Sequence, residues 1–248
     1  MRIDVYFNAS SAGQHDLHER VVLVIDVLRA STSIAAALHN GARAVIPFEG
    51  VDEAITRARS LERSEVLLAG ERKMAPIAGF QLGNSPREFT ADVVAGKIIV
   101  MTTTNGTAAF SSTLGATEVL VGSFANYSAV LAWLRAAARA GKSITIVCAG
   151  NHGRFALEDA ICAGRFVRGI ARRGIQPDLG DAANVAAIVD RRMGADLPAV
   201  LRDSEHGRAL MEAGLGEDVS YCAGIDTHSV VPVYRDRQVV RLGDRRER

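Results

Sequence analysis

Short continuous runs of Val, Ile and Leu alternate along the chain with Ala-rich stretches of helical period. The runs occupy 21–27 (VVLVIDV), 44–48 (AVIPF), 65–69 (EVLLA), 97–103 (KIIVMTT), 118–122 (EVLVG) and 143–149 (SITIVCA). A strand covered on both faces reads as an unbroken apolar run, because neither side keeps a polar row for water. Between the runs lie STSIAAALHNGA, with Ser31 and Thr32 as candidate caps and Asn40-Gly41 as its end, and ANYSAVLAWLRAAARAGK, stopped by Gly141. Both predict helices. Alternation of strand and helix predicts parallel pairing through crossover helices, hence a three-layer α/β/α fold around a largely parallel or mixed sheet.

Helical patterns follow from Leu157 to about Arg173, from Asp181 to Met193 and from Ser204 to Gly214. VVPVYRDRQVVRL then predicts a terminal hairpin turning near Asp236-Arg237, and GDRRER reads as a solvated tail. The stretch from Gly70 to Pro86 has no period and contains Pro76, Gly79, Gly83 and Pro86. Irregular segments of that length inside compact domains are usually functional. A single unit is expected, with two tightly packed α/β subdomains meeting near 140–150 as the alternative.

Composition narrows the partners. The 248 residues are 48% hydrophobic, enough for a sizeable core, while the net charge is +1 and aromatics make up 5%. That balance lacks the basic stripe and stacking platform of a nucleic-acid binder, so any affinity for anions must be local. Cys148, Cys162 and Cys222 are odd in number and match no zinc spacing, which fits a reducing compartment. No apolar run is long enough to span a bilayer, so a soluble, cytoplasmic protein without membrane partners is expected, compatible with a homo-oligomer.

Candidate chemistry collects where the apolar runs stop, since ligands of open α/β sheets bind beyond the carboxyl ends of the strands. Asp26 and Arg29 follow VVLVI; they either converge on a cation and a phosphate or serve as a turn cap and a surface ion pair. TTTNGT at 102–107 offers hydroxyls and a glycine at a helix start, without the GxxxxGK[ST] spacing of a P-loop. AGNHGRFALED at 149–159 brings Gly150, His152, Gly153, Arg154, Glu158 and Asp159; adjacent helix residues point about 100° apart, so one of the two acids is expected to face the crevice. Glu71 and Arg72 could ligate a metal and an anion, or form a solvated ion pair. His152 is a second-rank candidate. Cys148 reads as an inert core thiol, and SEHG at 204–207 and the Cys222, Asp226 and His228 group read as capping and packing.

Taken in order, IDVLRASTSI, LLAGERKMAPIAGFQLGNSPRE, TTTNGT, VLVGSFAN and ITIVCAGNHGRFALEDAICAG resemble the 2-phosphosulfolactate phosphatase family. The resemblance runs to about Gly164, with weaker echoes in SEHGRALMEAG, Asp218, Cys222 and VVP. It implies a magnesium-dependent phosphatase acting on a small anionic substrate, 2-phospho-3-sulfolactate, with Asp26, Arg29, Glu71 and Asp159 as catalytic groups. Arg72, Asn84, Ser85, Thr103, Thr104, Asn105, Gly106, Gly150, Gly153 and Arg154 are implied on the substrate, and Asp26, Glu71, Glu158 and Asp159 on Mg2+. The chain departs from the family at Gln81, where Asp is usual, and at Lys73 to Pro76, where a glycine-rich stretch is usual. Leu28 breaks the DxD pattern of a covalent aspartyl phosphatase, which favours attack by water. A phosphatase for another small phosphorylated hydroxy acid and a non-catalytic metabolite binder are the competing expectations.

Overall fold

The computed structural model describes residues 1–172 and 174–243. Eleven strands form one sheet: β1 (Arg2–Tyr6), β2 (Val21–Ile25), β3 (Ala44–Pro47), β4 (Val66–Arg72), β5 (Ala75–Pro76), β6 (Ile98–Thr102), β7 (Glu118–Gly122), β8 (Ile144–Cys148), β9 (Asp178–Leu179), β10 (Pro232–Arg235) and β11 (Gln238–Arg241). Their spatial order is β5-β4-β6-β3-β11-β10-β7-β2-β8-β1-β9. The helices are α1 (Ala9–Ala12), α2 (Ala30–His39), α3 (Val51–Arg59), α4 (Ala91–Val94), α5 (Gly106–Ser111), α6 (Tyr127–Arg139), α7 (Leu157–Ile170), α8 (Asp181–Met193), α9 (Leu197–Asp203), α10 (Glu205–Glu212) and α11 (Gly216–Cys222).

Strand β2 shows why the apolar runs are unbroken. Leu23 and Ile25 pack with residues of α6, α7 and α8, whereas Val22 and Val24 pack on the opposite side with Ala12 of α1 and Ala109 of α5. Both faces of the strand are therefore dry, as the three-layer expectation requires. The same alternation divides β6, where Ile99 and Met101 join the α2 cluster and Val100 joins α3. Close approach of α7 to α8 depends on Gly164, where a Cβ would lie 2.0 Å from the Ala186 carbonyl oxygen.

The sheet is mixed. β4, β6 and β3 form one parallel block, and β7, β2, β8, β1 and β9 another. The antiparallel β10–β11 hairpin joins them, pairing with β7 on one side and with β3 through Val239↔Val45 on the other. The hairpin lies at the chain's end yet in the middle of the sheet. Its turn residues Asp236 and Arg237 both have positive φ, the conformation of a two-residue primed turn. The expected solvated tail beyond Gly243 falls outside the described residues.

Several expectations need correction. Ser31 and Thr32 are not caps: α2 begins at Ala30 with Arg29 as N-cap, and both hydroxyls bond back to the carbonyls of Asp26 and Val27. The irregular stretch from Gly70 is in part a strand, since β4 runs through Arg72 and turns at Lys73-Met74, both at positive φ, into β5. The apolar runs did not include β1, whose buried Ile3 and Val5 alternate with more exposed residues.

Candidate active site

Loops leaving β2, β4, β6 and β8 enclose a cavity of about 360 Å³, roofed by the start of α10. Asp26, Arg29, Glu71, Asn84, Thr103, Thr104 and Asn105 line it, all anticipated from the sequence. His152, the second-rank candidate, also lines it. Lys73, Asn151 and His206 join them without having been assigned a role.

Asp26 sits one residue past β2 and is 6% exposed. Its Oδ1 accepts the Ala30 amide at 3.3 Å, and its Oδ2 lies against the backbone of Gly106. Burial raises its pKa to about 6, with the negative charges of Glu71 and Glu158 adding to the rise and His206 and the Ala30 amide opposing it. Gly106 permits this approach: a Cβ there would stand 2.6 Å from Asp26 Oδ2 and 2.5 Å from Ala30 Cβ.

Glu71 holds two loops to one another. Its Oε1 accepts the Thr104 amide at 2.8 Å and its Oε2 the Met74 amide at 2.9 Å. The Thr104 main-chain donor is thus spent on Glu71, and the Thr103 hydroxyl accepts the Thr107 amide. Arg72 faces the other way, because successive strand residues point to opposite sides of the sheet. Its guanidinium donates to the Glu71 and Glu49 carbonyls and to Thr102 Oγ1. Arg72 is placed behind the cavity wall, not on it.

Arg29 points inward and bonds Asp218 Oδ2 at 2.7 Å, with both side chains buried. Ser85 Oγ donates to the other oxygen of Asp218 at 2.6 Å, so Ser85 supports Arg29 through Asp218 and does not line the cavity. Asn84 lines it, and its buried Oδ1 has no hydrogen-bond partner.

The loop after β8 is a tight turn in which Asn151 and Arg154 exchange backbone hydrogen bonds across His152 and Gly153, both at positive φ. The His152 amide donates to Asn105 Oδ1, tying this loop to TTTNGT. Gly150 is required next to it, since a Cβ would lie 2.3 Å from the Arg154 carbonyl. Gly150, Gly153 and Arg154 do not line the cavity; the Arg154 side chain is 67% exposed and paired with Glu205.

Both acids of α7 are buried and neither lines the cavity, contrary to the expectation that one would face the crevice. Asp159 accepts the Val27 amide at 2.8 Å and the Gly150 amide at 3.1 Å, clamping the loops after β2 and β8 together. Burial pushes its pKa well up, helped by the charges of Asp26 and Glu158 and resisted by the two amides. Glu158 Oε1 lies 3.2 Å from His206 Nδ1, while its buried Oε2 has no partner. Burial pulls His206 down, but the hydrogen bond to Glu158 and the charges of Glu158 and Asp26 outweigh it and leave the pKa raised.

The sequence disguised His206. Ser204 caps α10 by accepting the Gly207 amide, so the capping reading of SEHG is correct, and the same short segment turns His206 into the cavity. Cys148 stays inert, its thiol held far above the usual range by burial. Gln81 lies outside the cavity, accepting the Leu68 amide on the β4 edge.

Among the described residues no group of three or more His, Cys, Asp or Glu side chains stands in metal-holding geometry. Magnesium commonly takes only one or two carboxylates and keeps several waters. Hard oxygens of Asp26 and Glu71, with the unpartnered Asn84 Oδ1 on the same cavity, fit that donor set. A cation would also offset the burial that raises Asp26 and the smaller repulsion from Glu71 and Glu158.

Comparison with known proteins gives one answer. A family model described as 2-phosphosulpholactate phosphatase matches residues 6–237. A protein of Symbiobacterium thermophilum named probable 2-phosphosulfolactate phosphatase is 40% identical over 92% of this chain and 96% of its own length. Proteins of the same name from Clostridium acetobutylicum, 35% identical over 97% and 100%, and Thermotoga maritima, 38% identical over 86% and 88%, are similar across nearly the whole fold.

Proposed function

The chain belongs to the 2-phosphosulfolactate phosphatase family, and on that footing we propose that it is a magnesium-dependent hydrolase releasing phosphate and 3-sulfolactate from 2-phospho-3-sulfolactate. The supporting observation is the cavity itself, where buried carboxylates stand beside Arg29, Lys73 and a threonine turn. A wall carrying both signs suits a cation and a multiply charged anion together; a plain anion-binding protein has no use for the buried acids.

Asp26 and Glu71, with Asn84 Oδ1 beside them, would hold Mg2+, which when bound neutralises phosphate charge and aligns the attacking water. Arg29 is held in place by Asp218 and presents the rest of its planar fork to an anionic group. Lys73, at the exposed tip of the β4–β5 turn, supplies a second positive charge at the mouth. Glu158 and Asp159 hold partners inside the protein, His206 for the first and two loop amides for the second. No helix among the described residues is long and apolar enough to cross a membrane, and the three cysteines are unpaired and buried, which supports a cytoplasmic setting.

The test is phosphate release from 2-phospho-3-sulfolactate, phospholactate and phosphoglycerate with and without magnesium. Wild-type protein is expected to prefer the sulfonated ester and to need the metal. Asp26→Asn is expected to remove the magnesium-dependent rate while remaining folded; full activity in that variant at equal magnesium would remove Asp26 from the site.

A further inference from the structure

We propose that His206 is the acid that protonates the departing alcohol, with Glu158 as its positioning residue. This role rests on the phosphatase reading above. Three observations carry it. His206 lines the cavity that holds Asp26 and Arg29, although it belongs to a different part of the chain from every other wall residue except Ala209. Its Nδ1 is engaged by Glu158 Oε1 at 3.2 Å, so Nε2 is the nitrogen left for a ligand. Glu158 is 1% exposed and keeps an unpartnered oxygen, so this carboxylate has been buried at a cost to aim one imidazole. A histidine oriented by a carboxylate through one nitrogen and presenting the other to a reaction chamber is the arrangement of a proton-transfer group.

The chemistry requires such a group. The leaving oxygen is that of an aliphatic secondary alcohol, a poor leaving group as the alkoxide. Water forms the new P–O bond, and the bond from phosphorus to the bridging oxygen breaks with its electron pair on that oxygen. The proton on His206 Nε2 moves to it and yields 3-sulfolactate; the proton lost by the attacking water returns to the imidazole through solvent. The balance is ester plus water to alcohol plus phosphate. The charged groups facing His206 are Glu158, Asp26 and Arg29.

The experiment compares the natural oxygen ester with its phosphorothiolate, in which sulfur replaces the bridging oxygen and the thiolate departs without a proton. His206→Gln is expected to lower kcat on the oxygen ester about a hundredfold or more and to spare the sulfur ester. Glu158→Gln should show the same split in weaker form, with kcat falling more than KM rises. A residue that only supports the fold would depress both esters alike, and that result, or an undiminished rate on the oxygen ester, overturns the proposal. If His206→Gln does not fold, the bridging-oxygen isotope effect of the wild-type enzyme decides: a small effect supports protonated departure, and a large normal effect overturns it. Wild-type protein silent toward both esters would defeat the phosphatase reading itself, a result distinct from wild-type activity with no oxygen–sulfur split.

Discussion

Asp26 combines a cost to folding with a place on the cavity wall. Its folded pKa, about 6, lies above the ordinary aspartate range, so it contributes most to stability when protonated, below the unfolded value, and loses that contribution as pH rises through about 6. Metal-free wild-type protein is therefore expected to lose stability between pH 4 and 6, and Asp26→Asn to be more stable than wild type at pH 8 by about 3 kcal/mol. Thermal melts in chelator read this directly; a lower melting temperature for the variant would contradict it. Magnesium should raise the melting temperature of wild type and not of Asp26→Asn. Gly106 is the companion case. Adding a Cβ at 2.5 Å from Ala30 forces the turn away from Asp26, so Gly106→Ala should cost about 1–3 kcal/mol and about a hundredfold in rate, measured by denaturant unfolding and phosphate release. Asp26 was legible because it ends an apolar run. His206 was not, because its segment also satisfies every local rule for a helix cap.

Strands and helices set which neighbours can share a wall. Glu71 and Arg72 were read together as one site, and the parity of β4 parts them: an adjacent pair on a strand cannot face one crevice. Glu158 and Asp159 show the opposite outcome, since α7 is covered by other elements at its start and buries both. The Arg29–Asp218 pair joins the N-terminus of α2 to α11 across 189 positions of sequence. Asp218→Ala leaves Arg29 buried and uncompensated and frees Ser85, so it should cost about 3–5 kcal/mol, seen as a lower urea midpoint with an unchanged slope. A cost below 1 kcal/mol would show that the pair contributes little. Six strands, the two strands of the terminal hairpin and the long helices were visible as runs and periods. The two-residue strands β5 and β9 carry no pattern that could announce them.

The final hairpin reaches back to the centre of the sheet, so the fold closes only when the chain's last elements arrive. Removing residues 231–248 would bare the edges of β3 and β7 and separate the two parallel blocks. Such a truncation is expected to give no cooperative unfolding transition by circular dichroism; a sharp transition near the full-length midpoint would show that the blocks cohere without it. The α/β class, the strand ends that line the cavity and the family were readable along the chain, because burial on two faces and tight turns are local demands that leave local patterns. The insertion of the hairpin, the outward turn of Arg72 and the meeting of His206 with Asp26 came only from packing. Each is a relation between segments far apart in sequence, and no run of neighbouring residues records which distant surface it will cover.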